Sequence, residues 1–131
     1  MNKLIYVFIG GGVGSLARYW VGTQALRLFG MNGPFGTATG TFIVNVLGGF
    51  AMGFLASWLA HRGGADQDKW RMLLGVGVLG GFTTFSAFSL ETALMVEKRL
   101  YGQAFTYASA SVLLAVGALF AGLLVARRLF A

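Results

Sequence analysis

The chain reads as an all-α membrane protein of four transmembrane helices, the third broken near its middle. Three observations lead there. Hydrophobic residues make up 56% of the 131 residues and charged ones only 11%, against roughly 25% charged in a soluble globular domain. The charges cluster, leaving four uncharged windows: Leu4–Ala17 (14 residues), Met31–Ala60 (30), Met72–Leu90 (19) and Leu100–Ala126 (27). A spanning helix needs about 20 mainly apolar residues, so four spans use nearly the whole chain. Finally, Gly80-Gly81-Phe82-Thr83-Thr84-Phe85-Ser86-Ala87-Phe88 sets two glycines, two threonines and a serine inside an apolar window. Backbone that leaves helical geometry at membrane depth is tolerated only inside protein or beside a water-filled cavity. In transporters such breaks mark ion and substrate sites.

Taken in order, the first helix runs from about Leu4 to Leu28. Its start imitates a signal peptide, with Lys3 before an apolar Leu4–Ile9. That core is short and glycine-rich and the span continues past Arg18, so the segment is read as retained. The second helix covers about Phe35 to His61, with Pro34 just before it, where proline suits a helix start. The third runs from about Trp70 to Lys98 with its break near Gly80–Thr83, and the fourth from about Gly102 to Arg128. Residues 1–131 thus make one transmembrane domain, with a short polar loop at His61–Arg71 and no room for a soluble catalytic domain. Gly10/Gly14, Gly36/Gly40, Gly49/Gly53 and Gly77/Gly81 are each four apart, and Gly117/Ala121 is a related small pair. Such pairs let helix backbones approach closely in a bilayer.

The net charge of +6 and a pI near 10.4 raise nucleic acid as a partner. The basic residues instead sit at span ends (Lys3, Arg27, Arg62, Lys69, Arg71, Lys98, Arg99, Arg127, Arg128), where they meet lipid headgroups. Lys3, Arg62, Lys69, Arg71, Arg127 and Arg128 fall on the amino-terminal side; Arg27, Lys98 and Arg99 fall on the other. A margin this small biases orientation weakly and leaves room for insertion both ways. Without cysteine there is no disulfide framework. Gly75-Val76-Gly77-Val78-Leu79-Gly80 matches G-x-G-x-x-G, with Glu97 downstream, but its flanks are apolar all round and lack the strand that a dinucleotide site needs. No His–Ser–Asp set, metal-ligand cluster or paired carboxylates at depth supports catalysis, so the chain is not read as an enzyme.

Few residues remain to carry chemistry. Arg18 is the deepest charge of the first helix; a mid-span Arg costs about 2.5–3.5 kcal/mol and needs a partner or water. It fits either an anion-attracting vestibule or a structural anchor. Glu91 lies three residues after Phe88, on the same face, and fits either a structural pair or a pathway acid. Asn45 stands alone in Phe42–Leu47, with Thr41 one turn earlier. Its amide must find partners, whether on a neighbouring helix or an anion. Phe85 and Phe88 share a face just past the break, where ring edges can meet an anion without holding it tightly. Tyr107 and Ser111, four apart on the last helix, would extend a line of hydroxyl donors.

These residues resemble the Fluc (CrcB) fluoride channels over nearly the whole chain. Gly10-Gly11-Gly12-Val13-Gly14-Ser15-Leu16-Ala17-Arg18-Tyr19 is similar to the family's first-helix motif. Gly40-Thr41-Phe42-Ile43-Val44-Asn45-Val46-Leu47-Gly48 is similar to its second, and Gly80–Ser89 to its third and most specific. The resemblance implies a homodimer of oppositely oriented subunits in the bacterial inner membrane, with two fluoride pathways that passively export the ion and lower its toxicity. It implies a structural, untransported Na⁺ at the dimer centre on main-chain carbonyls matching Gly80 and Thr83. It implies that Phe85 and Phe88 line the pores, that Asn45 adds an amide donor, and that Thr41, Ser86, Tyr107 and Ser111 belong to hydroxyl tracks. Glu91 matches a family acid near the pathway. Ala87 stands where the family often has a small hydroxyl residue, and Ala115 is apolar, which leaves the full length of the track open.

Two other classes compete. A small proton-coupled multidrug exporter wants a membrane carboxylate in its first helix, where this chain offers Arg18 and no acid. A non-transporting helical scaffold would have to use the polar break for packing alone.

Overall fold

A computed structural model describes residues 2–131 as helices joined by short turns. The order is α1 (Asn2–Phe29), α2 (Thr39–Arg62), α3 (Gln67–Trp70), a π-helical stretch (Arg71–Leu79), α4 (Gly80–Phe82), α5 (Ser86–Glu97) and α6 (Tyr101–Phe130). Four stretches are long and apolar enough to cross a membrane: Lys3–Asn32, Gly36–Arg62, Gly64–Glu97 and Tyr101–Phe130. The third holds α3, the π-helical stretch, α4 and α5.

Three local details differ from the sequence expectation. Pro34 does not open α2. A short 3₁₀ turn, Gly36–Ala38, intervenes and α2 begins at Thr39. Gly36 carries φ +60° there, a conformation that favours glycine. The Thr39 hydroxyl donates to Gly36 O (2.9 Å) and accepts from Phe35 N (3.2 Å), fixing the turn. The polar loop after α2 is mostly helical, a 3₁₀ turn at Gly64–Asp66 running into α3. The third span also starts wide: the Gly80 N–H reaches back to Gly75 O, five residues earlier. Such π-geometry is rare and gathers at functional sites.

Glycine sets the packing. α1 lies against the π-helical stretch and α4, while α2 lies along α6. A Cβ on Gly10 would stand 2.9 Å from Gly77 Cα, and one on Gly81 would stand 2.5 Å from Gly11 O. A Cβ on Gly14 would run into Val78 O. On the other pair, a Cβ on Gly53 would strike Leu119 O, and one on Gly122 would strike Phe50 O. So Gly10/Gly14 and Gly77/Gly81 meet each other, and Gly49/Gly53 seats α6. The expected Gly117/Ala121 pair takes no part in this seam: Gly117 has open space around it, and α6 uses Gly122. Of the glycines in the nucleotide-like Gly75–Gly80 spacing, Gly77 packs on α1, Gly75 faces Leu55 of α2 and Gly80 is exposed. A backbone approach this close maximises dispersion where lipid removes any hydrophobic drive between helices.

Gly14→Val and Gly53→Val should each cost about 3 kcal/mol, the upper range for overpacking, because backbone and not a mobile side chain blocks the new atoms. Gly12→Ala and Gly117→Ala, with nothing within 4 Å, should be neutral or stabilise by up to about 1 kcal/mol. Thermal unfolding of the four purified variants in one detergent separates the two classes.

Candidate functional site

The third span stops being helical at Thr83, whose φ −91° and ψ 158° are extended. It resumes at Ser86. The break therefore lies at residues 83–85, just after the glycines and not on them. Gly80 and Gly81 remain helical, and Gly81 is a glycine because α1 passes so close.

Three side chains hold the break. Asn45, projecting from α2, grips Thr84 at both ends: Thr84 N donates to Asn45 Oδ1 (2.9 Å), and Asn45 Nδ2 donates to Thr84 O (3.0 Å). This pairing sets the amide's orientation, since only Oδ1 can accept and only Nδ2 can donate. The Thr84 hydroxyl then accepts from Ala87 N (3.2 Å), three residues on, which is how threonine caps a helix start. It also lies 3.3 Å from the Ser86 hydroxyl. Arg18, from α1, donates its Nε–H to Gly81 O (3.0 Å).

These bonds free two carbonyls. In an unbroken helix the Thr84 N–H would serve Gly80 O and the Ala87 N–H would serve Thr83 O. Asn45 takes the first and Thr84's own hydroxyl the second, so neither carbonyl accepts a hydrogen bond among the described residues. Gly80 is exposed. Uncharged main-chain oxygens are hard donors that suit a hard monovalent cation, and the two carbonyls expected to hold Na⁺ are thus accessible or unengaged.

The expected pathway residues fall into three places. Asn45, Thr83, Phe85, Phe88 and Ser111 line an open groove of about 390 Å³, joined by Ala115. Phe85 is 78% exposed, its ring 5.6 Å from that of Phe88. Thr41 and Arg18 instead line a cleft of about 420 Å³ on α1 and α2, with Ser15, Thr23 and Ala87. Thr84 belongs to both. Tyr107 and Glu91 lie with Thr41. Tyr107 is wholly buried, its ring 5.3 Å from Phe88 and 5.1 Å from Phe35. Ser86 is exposed at the start of α5. Among the described residues the Ser111 hydroxyl is buried without a hydrogen-bond partner, while the buried Glu91 Oε1 and Tyr107 hydroxyl lie beside each other and Thr41.

Arg18 donates its Nε–H to Gly81 O and also lines the cleft on α1 and α2. At Asn45 the helix-to-helix bonds are present, and the second Nδ2 hydrogen stays uncommitted. Thr84 was not singled out from the sequence. Its signal was a hydroxyl residue three positions before the N–H of a restarting helix. Asn45→Leu removes both bonds to the Thr84 backbone and should cost at least about 2 kcal/mol, since each stranded polar group costs about 1–3 kcal/mol. Arg18→Gln, which strands only Gly81 O, should cost less in the same unfolding measurement.

Comparison with known proteins follows the same residues. The family model described as "CrcB-like protein, Camphor Resistance (CrcB)" matches residues 5–123. The chain is 69% identical over 130 residues to the "Fluoride-specific ion channel FluC" of Caulobacter sp. (strain K31), covering 99% of this chain and 98% of that one. It is 68% identical to the protein of that name from Caulobacter vibrioides (strain NA1000 / CB15N), over the full length of both. It is 63% identical to that from Phenylobacterium zucineum (strain HLK1), again over the full length of both. With four membrane-crossing helices and bacterial relatives, this is a multi-pass protein of the bacterial inner membrane. The chain belongs to the CrcB-like family.

Proposed function

We propose that the protein is a fluoride-specific ion channel that passively exports fluoride, and that it works as an antiparallel homodimer with two pores. The observation that carries the reading is the groove at the break: two phenylalanines, an amide and hydroxyls on one open face. The names of the relatives point to the same ion. A second, inverted copy would cover Phe85 and close each groove into a pore.

Fluoride holds its water tightly, so a pore must offer substitute donors. The uncommitted N–H of Asn45 and the hydroxyls of Ser86, Ser111, Tyr107 and Thr41 are such donors. The buried Ser111 oxygen, unpartnered among the described residues, supports this, because such a group calls for a ligand or water. The edges of Phe85 and Phe88 carry positive potential, enough to steady the anion and still release it. A narrow bore rejects chloride by size. Glu91, beside Thr41 and Tyr107, borders this track, and the Arg18 cleft draws anions toward it.

The Gly80 and Thr83 carbonyls would hold a structural Na⁺ shared between subunits. Bound there, the ion supplies a fixed, untransported positive charge between the pores. A two-fold axis through it would double each subunit's ligands. Because Asn45 and the Thr84 hydroxyl compete away the helical partners of these carbonyls, the same residues that hold the break also prepare this site.

Protein reconstituted in liposomes should dissipate a fluoride gradient and leave a chloride gradient in place; equal chloride flux, or none of either ion from a well-folded dimer, would sink the reading. Phe85→Ile and Phe88→Ile should each cut fluoride flux at least about tenfold, a loss of about 1.4 kcal/mol or more, while the dimer persists on size-exclusion chromatography. Exchanging Na⁺ for K⁺ should lower both flux and dimer stability; indifference to the cation would leave the freed carbonyls without this role.

A further inference from the structure

Gly48, on α2, is a glycine that the helix seams do not explain. Glycine inside a helix costs stability against alanine, so each one asks for a reason. Three of the four glycines in α2 find theirs in neighbouring backbone: a Cβ on Gly40 would stand 3.2 Å from Gly22 Cα, one on Gly49 would stand 2.6 Å from Ala115 O, and one on Gly53 would strike Leu119 O. Gly48 is buried and meets a side chain instead. A Cβ there would run into the methyl of Thr83, and the next nearest atom, Phe82 Cδ2, is 3.4 Å away, an ordinary contact. A single methyl group is therefore what keeps this position bare.

That methyl is held where it is. The Thr83 hydroxyl donates to Leu79 O (2.9 Å), and the Thr83 N–H donates to the same oxygen (3.0 Å). Threonine is stiff at χ1, so tying its hydroxyl back along the helix sends the methyl into the Gly48 notch. The backbone turns extended at this same residue. Asn45, three residues before Gly48 and on the same face of α2, holds the Thr84 N–H. The peptide unit between Thr83 and Thr84 is thus pinned at both ends: by the seated methyl at one and by Asn45 Oδ1 at the other. Because that unit is planar and trans, the Thr83 carbonyl points opposite to the Thr84 N–H and so away from Asn45.

We propose that Gly48 is a positioning residue, whose missing side chain seats the Thr83 methyl and thereby aims the Thr83 carbonyl at the cation site. The inference rests on the reading of the freed carbonyls as a Na⁺ site. It adds a residue that touches neither the cation nor the anion and acts through Thr83 alone.

The test titrates Na⁺ against thermal unfolding of the full chain. Gly48→Ala should raise the Na⁺ concentration that gives half of the stabilisation about tenfold, as losing a contact behind a metal ligand does. Gly48→Ala combined with Thr83→Ser, which removes the opposing methyl and keeps the hydroxyl, should return that midpoint to the unmodified value. Gly53→Ala, blocked by α6 backbone and not by the break, should lower stability and leave the midpoint in place. If Gly48→Ala fails to fold, recovery of folding and of the Na⁺ response in the double variant reads the same rescue. A double variant no better than Gly48→Ala, an equal midpoint shift in Gly53→Ala, or a Na⁺ response that Gly48→Ala leaves unmoved would overturn the role of Gly48. Indifference of the unmodified protein to Na⁺ would instead overturn the cation reading itself, and this role with it.

Discussion

A backbone polar group at membrane depth has no water to fall back on, and the rest of this structure depends on how one interrupted helix meets that demand. At the break the Thr84 N–H and carbonyl both go to the Asn45 amide, and the Thr84 hydroxyl caps the restarting helix. Gly81 O goes to Arg18. Three side chains from α1, α2 and the break itself thus replace the helical ladder. The replacement is incomplete: among the described residues Gly80 O and Thr83 O are left over because their usual donors are engaged elsewhere, and Phe82 O receives no bond from Ser86 N across the break.

Such a break needs a rigid frame. α1 and the third span pass backbone to backbone at Gly10, Gly14, Gly77 and Gly81, and α2 and α6 do so at Gly49, Gly53 and Gly122. The first contact delivers Arg18 to Gly81. The second carries Ser111 to the groove that Asn45 shares with Phe85 and Phe88. Small residues therefore decide where the few polar side chains meet, although they contribute no chemistry themselves. Phe85 is 78% exposed, so the aromatic part of the site is presented outward while Tyr107 is sealed inside. The same division separates the groove from the Arg18 cleft, with Thr84 as the residue common to both.

Much of this was legible in the sequence, for reasons that differ by residue. Asn45 and Arg18 announced themselves because a polar or charged group in an apolar window is costly unless answered. The glycine pairs were legible as packing through their four-residue spacing, yet that spacing misplaced one seam: α6 uses Gly122 and leaves Gly117 in the open. Local composition places the break on Gly80–Thr83, since glycine loosens a helix. It falls at residues 83–85, since a lateral hydrogen bond from Asn45 outweighs local flexibility. The π-helical Arg71–Leu79 left no mark in the apolar pattern, because a change in hydrogen-bond register alters no residue type.

By itself the sequence determined four membrane-length helices, an interruption in the third and the family that bears its motifs, because hydropathy, charge spacing and local composition act along the chain. Only the tertiary structure decided what the interruption is made of. Asn45 and Thr84 are 39 residues apart, and Arg18 and Gly81 are 63 apart. Which donor answers which carbonyl is settled by helices approaching to backbone contact, and no local pattern encodes that choice.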